Sequence, residues 1–138
     1  MDFVPFEIAK KLKEKGFSCE MPFAMYNEIA AFHLLTTSAP YNVCNSGFKC
    51  REYYDCEDFD EHDYVAPTIS QVLKWLRDKK IHLVVDIEPK GYFFIVNYNI
   101  TTDFNDKYEF DIHNSWGCYY DYKQAALAGI KYVIDNLI

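Results

Sequence analysis

The chain has 138 residues, half of them apolar, with 12 Tyr, 11 Phe and 2 Trp. That size and apolar content suit a single folded domain over residues 1–138 and exclude a chain disordered throughout. The net charge is −7, of which −6 falls in residues 1–67 and −1 in residues 68–138, so phosphate backbones are repelled at long range and a nucleic-acid partner is disfavoured.

Five cysteines do not make a paired disulfide framework. Met-Asp-Phe-Val-Pro-Phe at the start has neither the basic nor the apolar region of a secretion signal, and no apolar run is long enough to cross a bilayer. The expectation is a cytoplasmic chain with reduced thiols and no membrane partner.

The first predicted element is a helix over residues 5–15. Pro5 suits its first turn, Phe6, Ile8, Ala9 and Leu12 form the apolar stripe, and Lys10, Lys11, Lys13 and Lys15 form the wet side. Gly16 can take the left-handed terminal position and Phe17 can fold back on the last turn. Residues 18–65 are less decided. Phe23–Tyr26 suits a strand, while Ile29–Leu35 fits strand or helix. Residues 36–40 break the pattern, Asn45-Ser46-Gly47 reads as a turn, and residues 48–54 can pair as a hairpin with an earlier strand. Asp55, Glu57, Asp58, Asp60, Glu61 and Asp63 crowd one acidic loop.

The clearest stretch is 66–100. Thr68 can cap a helix over 68–79, with Gln71 three residues on completing a capping box. Ile69, Val72, Leu73 and Leu76 fall on one face, widened by Trp75, and Lys79 and Lys80 suit the C-terminal end. At Ile81 the period changes to two: Ile81, Leu83, Val85 and Ile87 alternate with His82, Val84, Asp86 and Glu88. Glu88-Pro89-Lys90-Gly91 is turn chemistry, and 92–100 has the aromatic and β-branched residues of a second strand. A third strand is predicted over 107–112, with Tyr108, Phe110 and Ile112 on one face. A closing helix follows over 121–137, with Asp121 as N-cap, Gln124 three on, and Tyr122, Ala126, Ile130, Val133, Ile134 and Leu137 inward. Gly129 in its middle costs about 1 kcal/mol against Ala and implies close packing. The predicted class is α+β: an antiparallel sheet of at least three strands with helices on one face, in a helix–strand–strand–strand–helix core over 68–138.

Chemical motifs are sparse. Cys44, Cys50, Cys56 and His62 repeat every six residues, and their types suit zinc. Compact zinc sites bring two ligands together on one tight turn, so plain buried or loop cysteines are the preferred reading. The acidic loop and Asp103-Phe104-Asn105-Asp106 offer calcium-type oxygens without EF-hand order; solvated faces explain both. Cys118 with His113 is the nearest nucleophile–base pair, with no oxyanion hole or orienting carboxylate marked. No catalytic, metal or cofactor residues are assigned, and the reading leans away from an enzyme.

Residues 66 onward resemble a group of small proteins of gut-bacterial genomes, phages and mobile elements. The resemblance rests on Ala66-Pro67-Thr68, Lys74-Trp75-Leu76-Arg77, Tyr122, Ala125, Ala128 and Gly129, with Lys13-Glu14-Lys15-Gly16-Phe17 near the start. It implies an accessory role and brings no assigned activity. The helix–three-strand–helix order over 68–138, with Ala125, Ala126, Ala128 and Leu137 in the last helix, is also similar to the double-stranded-RNA-binding domain. That domain grips phosphates through a basic cluster at the start of its closing helix, where this chain reads Asp121-Tyr122-Lys123-Gln124. The leading expectation is a non-catalytic protein that binds another protein through Tyr- and Phe-rich surface. An RNA or DNA module, needing Lys79, Lys80, Lys90 and Lys123 to cluster, and a thiol hydrolase are the alternatives.

Overall fold

The computed structural model describes residues 2–19, 21–34, 62–102, 108–116 and 118–138. The chain divides into two compact units, residues 3–68 and residues 69–138, with Asp2 grouped with the second. The acidic loop through Glu61, Cys44, Cys50, Cys56, the breaks and turns at 36–47, the hairpin at 48–54 and Asp103–Asp106 lie outside the described residues.

In the first unit, helix α1 spans Phe6–Glu14 and buries Ile8, Ala9 and Leu12, as its stripe requires. It ends as Gly16 implies. Gly16 takes φ +81°, its N–H donates to the Lys13 carbonyl, and Phe17 N–H reaches back to Leu12 at 2.9 Å. Those two bonds satisfy carbonyls that the helix end would otherwise orphan. Strands β1 (Ala24–Tyr26), β2 (Phe32–Leu34) and β3 (Tyr64–Val65) form an antiparallel sheet ordered β2-β1-β3. The stretch that fits strand or helix therefore contributes a strand. All three β1 residues are buried, and both edges of the strand are paired. Asn27 closes the β1–β2 turn: its side-chain oxygen accepts from the N–H groups of Ile29 and Ala31. Phe6 meets the rings of Tyr26 and Tyr64 edge-on at 5.6 and 5.3 Å.

The second unit carries the predicted order. Helix α2 spans Ile69–Asp78 and buries Ile69, Val72 and Leu76. Strands β4 (His82–Glu88), β5 (Gly91–Thr102) and β6 (Tyr108–Asn114) form an antiparallel sheet ordered β4-β5-β6. Helix α3 spans Tyr122–Asn136. The fold is α+β, with the helices on one face of this sheet. Leu83, Phe94 and Val96 are buried beneath them. Gly129 is where α3 comes closest, since a Cβ there would lie 2.5 Å from Leu83 Cδ1 and 3.1 Å from Phe94 Cγ. Two members of the predicted apolar rows are exposed. Ile87 is 61% exposed and Tyr122 45% exposed, because each sits at an end of its element, beyond the cover that the opposing layer provides.

Candidate binding surface

Two exposed apolar areas stand out in the second unit. The first is the sheet face opposite the helices. Direct cross-strand partners share a face, so the pairs Val84↔Ile95, Ile95↔Asn114, Asn97↔Ile112 and Asp86↔Phe93 place Val84, Phe93, Ile95 and Ile112 together. Val84 is 49% and Ile112 60% exposed. Phe110, two residues before Ile112 and so on the same side of the strand, is also exposed. The alternation of 108–112 was legible in the sequence, but not that its apolar row would face away from the helices.

The second area is formed by residues 115–116 and 118–121, between β6 and α3. Its backbone is clamped at successive points. Ser115 Oγ accepts from Phe94 N–H and Ser115 N–H donates to the Phe94 carbonyl. Asn114 Oδ1 accepts from Trp116 N–H at 2.7 Å. Tyr92 and Tyr119 form an antiparallel bridge. Asp121 Oδ1 caps α3 by accepting from Gln124 N–H, and the Gln124 side chain returns to Tyr120 N–H. From this held backbone Trp116 and Tyr120 project almost fully, at 78% and 87% exposure. Trp116 also has φ +51°, a left-handed conformation that costs a non-glycine residue about 1–2 kcal/mol. Strain of this kind is retained where the surroundings over-determine it, and it concentrates at functional sites.

The residues singled out in the sequence are placed as follows. The His113 ring lies flat on Tyr132, with centroids 3.8 Å apart, and 5.9 Å from Phe94. This is a packing role beneath α3. Cys118 is exposed, and its N–H donates to the Tyr92 carbonyl; among the described residues no hydrogen bond joins it to His113. Lys79 sits over the Trp75 ring at 4.7 Å. Lys79 and Lys80 precede β4 and Lys90 follows it, so the seven residues of β4 hold them about 20 Å apart. Lys123 lies at the Lys90 end, where α3 begins beside the Tyr92–Tyr119 bridge. The four lysines therefore split into two groups. His62 is exposed; its candidate zinc partners are outside the described residues. Among the described residues no group of three or more His, Cys, Asp or Glu is placed to hold a metal ion, and no helix is long and apolar enough to cross a membrane.

Comparison with protein-family models, with curated proteins and with solved structures found no match.

Proposed function

We propose that this chain is a non-catalytic binding or accessory protein that contacts another protein through the segment 115–122 and the open face of the β4-β5-β6 sheet. The observation that carries this reading is Trp116: a large aromatic, mostly exposed and held by a hydrogen-bonded loop in a strained conformation. Tyr and Trp on a rigid platform supply contact area at low entropic cost, and interface energy concentrates on such anchors. An accessory role in a phage or mobile element rests on the sequence resemblance of residues 66 onward. The cytoplasmic placement is part of the same proposal.

Duplex-RNA binding is the second reading, and one observation favours it: the second unit has the α-β-β-β-α order with both helices on one face. Against it stand Asp121, engaged as the cap of α3 where a basic cluster would grip phosphate, and the division of Lys79 and Lys80 from Lys90 and Lys123. Affinity capture from native lysate, with and without nuclease, separates the readings. A protein partner retained after nuclease supports the first; capture that nuclease abolishes supports the second.

A further inference from the structure

We propose that the outer edge of β4 pairs with β4 of a second copy of this chain, about a two-fold axis at Val84. The hydrogen-bond parity of the sheet leads there. Tyr92 N–H and Phe94 N–H point away from β4, to the Tyr119 carbonyl and Ser115 Oγ. The odd residues of β5 therefore face β4, where they meet His82, Val84, Asp86 and Glu88. The backbone groups of Ile81, Leu83, Val85 and Ile87 point outward along the free edge. Both ends of that edge are closed: Ile81 N–H donates to the Leu76 carbonyl and Ile87 N–H to Asp86 Oδ1. Between them, the outward N–H and carbonyl groups of Leu83 and Val85 have no hydrogen-bond partner among the described residues.

An axis at Val84 sets Leu83 of each copy opposite Val85 of the other. Each of these pairs then exchanges both backbone bonds, as an antiparallel ladder requires. The same register sets Val84 against itself and His82 against Asp86 of the second copy, twice by symmetry. All three side chains are exposed on the open face, and these positions fall in the closer, non-hydrogen-bonded pairs. Asp86 keeps its second carboxylate oxygen for the contact. The match of an imidazole N–H donor with a carboxylate acceptor, made twice about the axis, thus selects a second copy over an arbitrary strand, and the interface is isologous. The other edge offers no equivalent. On β6, Asp111 accepts from Asn99 Nδ2 at 2.8 Å and His113 is stacked on Tyr132.

The test is sedimentation equilibrium of the full chain, together with amide exchange at Leu83 and Val85 over a range of concentrations. The expected result is a reversible dimer in which both amides slow as concentration rises. Val84→Lys, which sets like charges on the axis, and His82→Glu, which sets Glu against Asp86, should each weaken dimerisation about tenfold. The double variant His82→Glu/Asp86→Lys, which sets a carboxylate against an ammonium donor again, should restore most of the loss. A monomer at millimolar concentration overturns the proposal, as does a dimer indifferent to Val84→Lys. Protection of the two amides only when a different protein is added would assign the edge to a foreign strand and equally overturn it.

Discussion

Lys80 ends helix α2 in the role that Gly16 fills for α1. It takes φ +61°, its N–H donates to Arg77, and Ile81 N–H reaches Leu76 at 2.9 Å. A lysine there bears the left-handed penalty of about 1–2 kcal/mol, against the roughly 0.5–1 kcal/mol of chain entropy that glycine would add to the unfolded state. Lys80→Gly should therefore raise stability by about 0.5–1 kcal/mol, measured by urea denaturation; a loss would show that the strain is not there. Glycine announces such a position in a sequence and lysine does not, which is why the end of α1 was legible and the backbone state at the end of α2 was not. Tyr26 yields a pH dependence. Its hydroxyl donates to the Val4 carbonyl at 2.6 Å, and burial pushes its phenol above the ordinary value of 10.0. Because the folded state holds the proton more tightly than the unfolded one, this contribution is complete below pH 10 and is lost as the pH rises through the raised folded-state value. Tyr26→Phe should cost about 1–3 kcal/mol at neutral pH, since it leaves the Val4 carbonyl unsatisfied. It should also flatten the alkaline fall in stability.

At the scale of elements, two glycines fix how layers meet. Gly129→Ala gains about 1 kcal/mol in helix propensity but drives a methyl group into Leu83 and Phe94, where overpacking costs about 1–3 kcal/mol. Both neighbours are core residues, so a net loss is expected by thermal unfolding, relieved in the double variant with Leu83→Ala. Gly91→Ala should be worse. Its φ is +140°, and the added carbon would lie 2.8 Å from the backbone oxygen of Tyr119, which cannot move without breaking the Tyr92–Tyr119 bridge. The sequence exposed Gly129 because a glycine in the middle of an apolar helix face needs a neighbour to explain it. It exposed α2, β4, β5 and α3 because each is long enough to show a period. β1 (three residues) was legible as the apolar run Phe23–Tyr26 and not by alternation, since every one of its residues is buried, while the two residues of β3 are too few for any period. The Asp121 cap with Gln124 was legible, but the clamps at 115 and at 118–119 were hidden for a different reason. Their bonds run to Phe94 and Tyr92, some twenty residues away, and nothing local in Ser115 or Tyr119 records them.

For the whole molecule, the uneven charge and the separated lysines bear on nucleic acid. Each missing phosphate contact removes a released counterion and with it part of the affinity. Labelled duplex RNA titrated at two salt concentrations should show no binding at micromolar protein and physiological salt. Binding that weakens steeply with salt, and again on Lys123→Glu, would favour the RNA reading. The central claim is that Trp116 is held exposed, at a cost in stability, for contact with a protein. Affinity capture from nuclease-treated native lysate, comparing the wild-type chain with Trp116→Gly, tests it most directly. The variant relieves the left-handed strain, so it should unfold at a higher urea concentration while losing the captured protein. Capture undiminished by Trp116→Gly, or no protein retained by the wild-type chain once nucleic acid is digested, would contradict the account.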